Sequence, residues 1–120
     1  MLVDIHTADD RGNILTLKED LAVAFKGKLL VVPAGFECDG TSVPRFLWDT
    51  VSPQIHPETL MAAIAHDYLY RNTPDNWTRK EADDLFYHLC RVNGLSWMRA
   101  QYAYYALRIF GGAAWEGNGK

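Results

Sequence analysis

Leu60-Met61-Ala62-Ala63-Ile64-Ala65-His66-Asp67-Tyr68-Leu69-Tyr70-Arg71 is the stretch on which the reading of this chain turns. Pro57 suits the first turn of a helix, so a helix is expected from there through the whole run. An imidazole and a carboxylate stand side by side at the end of an apolar segment. Burying either without a partner costs several kcal/mol. Tyr70 follows His66 by four residues and shares its face of the helix. Two readings compete. His66 and Asp67 are polar groups satisfied inside a small core, or they are a general base beside a metal-binding carboxylate.

Downstream, Thr78-Arg79-Lys80-Glu81 has the form of a capping box and opens a second helix, which Gly94 should stop. The short loop Asn72 to Trp77 makes the two helices antiparallel neighbours. On the second helix Asp83 shares its stripe with Phe86, Tyr87 and Cys90, whereas Asp84 shares one with Lys80, His88 and Arg91. Asp84 and His88 are therefore expected in solvent and Asp83 towards the core. A carboxylate on an apolar face needs a partner, and His66, Tyr70 and Arg71 have the right chemistry. Ser96 caps a third helix, Trp97 to Phe110, apolar nearly all round and so expected to pack on several sides. The alternative is an aromatic face left for a partner or a lipid interface.

Upstream, residues 1 to 36 read as strands. Leu21, Val23 and Phe25 alternate with alanines, and Lys26-Gly27-Lys28 is a tight hairpin connection before Leu29-Leu30-Val31-Val32. Ala34 to Arg45 is a loop rich in glycine and short polar side chains. It could offer the Asp39 carboxylate and carbonyls near Gly40 to a hard cation. Ser42 can also cap a short helix, Pro44 to Trp48. The fold class expected is α+β: a small N-terminal antiparallel β meander, then three main helices of which the central two are an antiparallel pair. A single domain over residues 1–112 precedes a Gly-rich, loose tail over 113–120, with Trp115 able to dock.

The composition, 48% hydrophobic and 22% charged over 120 residues, is that of a soluble globular domain. A net charge of -3 with scattered Lys and Arg argues against a nucleic-acid surface. No apolar run reaches a membrane-spanning length, and Asp4, Asp9 and Asp10 do not fit a signal peptide. Synthesis in the cytoplasm is the expectation. Cys38 and Cys90 are two thiols or one bridge.

Asp83 bonded to one ring nitrogen of His66 would fix the tautomer and leave the other nitrogen to take a proton from water. Asp67, about 100° round the helix, would hold a cation that stabilises an oxyanion. That is the machinery of metal-assisted ester hydrolysis.

Pro33 to Arg45, then His66 to Arg71, then Arg79-Lys80-Glu81-Ala82-Asp83 with Phe86, resemble the bacterial and phage family known as domain of unknown function 1353, over roughly residues 20 to 111. That family implies no activity. Its frequent home in phage and prophage genomes implies a phage-encoded protein, made in the host cytoplasm, for which association with the virion is one alternative. His66-Asp67-x-x-Tyr70 also resembles, more distantly, the His-Asp-x-x-Tyr helix of secreted phospholipase A2. This second resemblance implies His66 as base, Asp67 as a calcium ligand with the Asp39-Gly40 loop, and Tyr70 supporting Asp83, which orients His66. It implies phospholipid as substrate. The disulfides of that family are missing here, the meander is not part of its usual fold, and the spacing from His66 to Asp83 is short. Without catalysis, the same residues would be a buried polar network in a virion, tail or lysis-accessory protein that meets other phage proteins.

Overall fold

Period-two patterning and turn chemistry build the N-terminal part; caps and buried alanines build the rest. The computed structural model describes residues 3–8, 12–38 and 59–118. The chain divides into two compact units, residues 1–40 and residues 41–120. Its class is α+β, as the patterning predicts.

In the first unit, β1 (Val3–Ala8) pairs antiparallel with β2 (Gly12–Leu17), from Val3 opposite Leu17 to Ala8 opposite Gly12. β3 (Leu21–Phe25) and β4 (Lys28–Val32) form a separate hairpin. Leu21, Val23, Leu30 and Val32 are buried while Ala22, Ala24, Leu29 and Val31 face out, as alternation requires. The two connecting residues, Lys26 and Gly27, both take positive φ, 52° and 79°. This is the primed-turn geometry whose twist matches the strands. One meander was expected; among the described residues the strands form two sheets. β5 (Glu37–Cys38), from the segment read as loop, pairs with β2 through Leu15 opposite Cys38. The Leu17 and Phe36 backbones bond at 2.9 Å, and the Asp20 carboxylate accepts from Ala34 N at 2.8 Å. These bonds supply the return path that no side-chain pattern announces. Asp39, Gly40, the helix expected at Pro44 to Trp48, and Pro57 lie outside the described residues.

The second unit is helical. α1 (Leu60–Asn72) ends at Thr73, which is in the left-handed region. It is buried on nearly every side, through Ala62, Ala63, Ile64, Ala65, His66, Asp67, Leu69 and Tyr70. α2 (Arg79–Val92) opens on the predicted capping box: Thr78 N donates to Glu81 Oε1 at 2.9 Å, and Glu81 N to Thr78 Oγ1 at 3.1 Å. Gly94, at φ 105°, stops it. α1 and α2 pack closely, and contacts link residue 66 with 83 and 70 with 79. Positions rising on one helix meet positions falling on the other, so the pair is antiparallel.

α3 (Trp97–Phe110) begins at Ser96, whose hydroxyl accepts from Arg99 N at 3.3 Å. Here the expectation of packing on several sides fails. Ala100, Ala103, Ala106 and Leu107 are the buried residues, and Trp97, Met98, Tyr102, Tyr105, Ile109 and Phe110 are exposed. A strip of small side chains lets the helix backbone come close to its neighbours, and the bulky ones stand outward. The stretch expected to be loose contains a short helix, α4 (Gly112–Asn118), and Trp115 does dock: its ring meets Tyr70 edge to face at 5.2 Å. Cys38 and Cys90 are both buried. Among the described residues no helix is long and apolar enough to cross a membrane.

Candidate functional site

The carboxylate expected to face the core does so. Asp83 has no exposed surface, and neither do His66 and Tyr70. His66 Nε2 lies 2.9 Å from Asp83 Oδ1. Tyr70 OH donates to the same oxygen at 2.6 Å. The other oxygen, Oδ2, accepts from Arg108 Nη1 at 2.8 Å, with Arg79 Nε at 4.0 Å. Two of the three partners named from the sequence are present. The third, Arg71, is turned instead to Asp67, at 3.2 Å.

Three elements position this cluster. α1 supplies His66 and Tyr70 one turn apart, with ring centroids 4.1 Å apart; Phe86 of α2 closes the imidazole from the side at 5.2 Å. α3 supplies Arg108 from its last turn. Arg79 ties the helices together: its guanidinium donates to Tyr70 OH at 3.2 Å and to the Leu107 and Arg108 carbonyls, each at 2.8 Å. Both carbonyls lie in the last turn of α3, where a cation is favoured, and the Leu107 oxygen also accepts from Gly111 N at 2.8 Å. Gly111 is needed at this junction. A Cβ there would lie 2.6 Å from the Leu107 carbonyl oxygen and 2.9 Å from Tyr70 OH.

The electrostatics follow from the geometry. Burial alone raises the pKa of Asp83. The hydrogen bond and charge of His66, with the bonds from Tyr70 and Arg108, outweigh it and hold the carboxyl below its ordinary value. Tyr70 moves the other way: burial, the Asp83 charge and the bond to Asp83 all raise its hydroxyl well above the usual 10.0. For Arg108 burial lowers the pKa, but the bond and charge of Asp83 prevail and raise it. Asp83 is thus a carboxylate that only accepts, so Nε2 of His66 donates to it.

The remaining assignments divide. Asp67 is buried at 1% exposure. Asp39 and Gly40 are not among the described residues, and among those residues no group of three or more His, Cys, Asp or Glu side chains could hold a metal ion. The cation site expected from Asp67 with the Asp39-Gly40 loop thus lies partly outside the described residues, and no step below runs through a cation. His88 is exposed as expected. Asp84 is only partly exposed. It pairs with Lys80 at 3.0 Å and accepts from Tyr104 OH at 2.7 Å; burial and that bond push Tyr104 up to about 12. Arg79 and Arg108 escaped the sequence reading. Arg79 stands four residues before Asp83 on the same helix and was open to a spacing argument; Arg108 carries no such signal.

The chain matches the family described as "Protein of unknown function (DUF1353)" over residues 15–107. It is 29% identical over 80 residues to "Uncharacterized protein y4jT" of Sinorhizobium fredii (strain NBRC 101917 / NGR234), a match covering 67% of this chain and 23% of that protein. The chain thus spans about a quarter of that relative's length. No solved structure matches.

Proposed function

The chain belongs to the DUF1353 family, whose description assigns no activity, and we propose that its His66–Asp83 pair is a hydrolytic centre for acyl esters of the phospholipase A2 kind. One observation supports this above the others: a single carboxylate oxygen joins the imidazole Nε2 and the Tyr70 hydroxyl across two antiparallel helices. In this reading Nδ1 of His66 takes a proton from water as the water oxygen bonds to the acyl carbon. Collapse of the tetrahedral adduct breaks the bond to the alcohol oxygen, which receives the proton back from the imidazolium. A fatty acid and a lysolipid leave. Asp83 holds the ring and steadies its cation; Tyr70 positions Asp83. The Asp67 role as calcium ligand belongs to the same proposal, and calcium dependence tests it. The assay is fatty-acid release from phospholipid mixed micelles, with calcium and with chelator. Release lost in His66→Gln, with folding retained, is the expected outcome; no release by the intact chain under either condition refutes it.

A second reading draws on a specific observation. His66, Asp83 and Tyr70 have no exposed surface, and two arginines from two helices converge on Asp83. Water must be admitted for catalysis, whereas a structural network works best dry. In this reading the cluster locks the helices of a non-enzymatic phage protein, in the virion, tail or lysis apparatus. Asp83→Asn then lowers stability in a chain that never hydrolyses ester.

A further inference from the structure

Arg79 and Arg108 are pinned at their inner ends and open at their outer ones. Arg108 Nη1 donates to Asp83 Oδ2 at 2.8 Å, and Arg79 Nε stands 4.0 Å from the same oxygen, so the two guanidiniums converge on one buried atom. Arg79 Nη2 holds the Leu107 and Arg108 carbonyls, which fixes its plane. The two side chains are nevertheless 23% and 31% exposed. Among the described residues, Arg79 Nη1 and the Nε and Nη2 groups of Arg108 make no hydrogen bond to the protein. Beside Arg79 Nη1 stands Gly112, half-buried; a Cβ there would lie 3.6 Å from Nη1 and 3.7 Å from Cζ. Its bare backbone leaves the room of a methyl group against that end of the guanidinium. The charges do not close either. Two cations meet one carboxylate, and the C-terminal end of α3 offsets about half a charge more. Asp84 is taken by Lys80, and Glu81 by the Thr78 cap. A positive remainder is left, carried by rigid donors that reach the surface.

We infer that Arg79 and Arg108 together bind the phosphate group of a ligand at the exposed rim of the Asp83 cluster. The shape of the donors selects the class. A carboxylate is satisfied by one guanidinium fork, whereas the tetrahedral oxygens of a phosphate engage two. The ordering is done in advance: Asp83, Tyr70 OH and two helix carbonyls hold the arginines before any ligand arrives, so little side-chain entropy is lost on binding. Free phosphate and a lipid headgroup present the same chemistry to this pair. The site does not need the ester hydrolysis proposed above; where both hold, the arginines grip the phosphate of the lipid whose acyl ester is cleaved.

Titration of the full chain with inorganic phosphate at constant ionic strength, followed on the Nε–H resonances of Arg79 and Arg108, tests this. Both signals should shift along one saturation curve. Arg108→Lys keeps a cation on Asp83 but loses the fork, so the fold should hold while phosphate affinity, read on the Arg79 signal, falls about tenfold. Dihexanoyl phosphatidylcholine below its micelle concentration separates the two sources. A shift that phosphate competes away assigns a lipid headgroup; no shift, beside a response to phosphate, assigns free phosphate. No response to either overturns the proposal. So does a response that chloride or acetate reproduces, or one that Arg108→Lys leaves unchanged. Binding without ester cleavage supports this site and counts against the hydrolytic reading alone.

Discussion

Replacing Asp83 with alanine removes more than one contact. Oδ1 accepts from Tyr70 at 2.6 Å and meets His66 at 2.9 Å; Oδ2 accepts from Arg108 at 2.8 Å. Three partners lose their common acceptor, and two of them, His66 and Tyr70, are fully buried. Each bond to a charged group contributes about 1.5–3 kcal/mol, but bonds sharing one carboxylate do not add. Breaking a buried ion pair by removing one member costs about 3–5 kcal/mol, and that is the magnitude expected. It is a large share of the roughly 5–15 kcal/mol that holds a domain folded. With a urea slope near 1.5 kcal/mol per M, the midpoint should fall by about 2–3 M. The readout can be confined to the helical unit, because all four tryptophans, Trp48, Trp77, Trp97 and Trp115, belong to residues 41–120. If Asp83→Ala does not fold, Asp83→Asn serves. Its amide oxygen can still accept from His66 and Tyr70, but an NH₂ then faces Arg108, for a loss of about 1.5–3 kcal/mol. An Asp83→Ala chain within about 1 kcal/mol of wild type would refute the account of Asp83 as the tie between three helices.

Tyr70→Phe removes the donor to Asp83 and the acceptor for Arg79, and urea titration should show a loss of about 1–3 kcal/mol, smaller than for Asp83→Ala. Gly111→Ala forces a methyl against the Leu107 carbonyl oxygen and Tyr70 OH; about 1–3 kcal/mol of stability should go, with the Trp115 fluorescence changed as the α3–α4 junction shifts. The urea midpoint should depend on pH at both ends. The folded pKa of Asp83 is depressed, so its contribution is complete above the ordinary 3.8 and is lost as pH falls below that value; Asp83→Asn should flatten this acid limb. The folded pKa of Tyr70 is raised, so its contribution is complete below 10.0 and is lost as pH climbs past it; Tyr70→Phe should flatten that alkaline limb.

Periodicity made much of the helical unit legible. The stripe through Phe86, Tyr87 and Cys90 turned Asp83 inward, and four-residue spacing put His66 and Tyr70 on one face, so both stood among the candidate partners of Asp83, with Arg71, which packing turns to Asp67 instead. The capping box and Gly94 marked α2 because caps are local chemistry, decided within one turn of backbone. Likewise the Lys26–Gly27 hairpin was readable from its glycine. What escaped was whatever depends on elements distant in sequence. β5 pairs with β2 through backbone groups that every residue carries, so no side chain foretold it. Arg108 reaches Asp83 from 25 residues away, and only the docking of α3 brings the two together. The outward face of α3 was misread for a related reason: hydrophobicity says that a side chain avoids water, but not where a neighbour stands to receive it. Local order determined which residues share a face, since helix and strand geometry repeat regardless of context. Tertiary packing alone decided which faces meet, since that is settled by the shape and room left by the whole assembly.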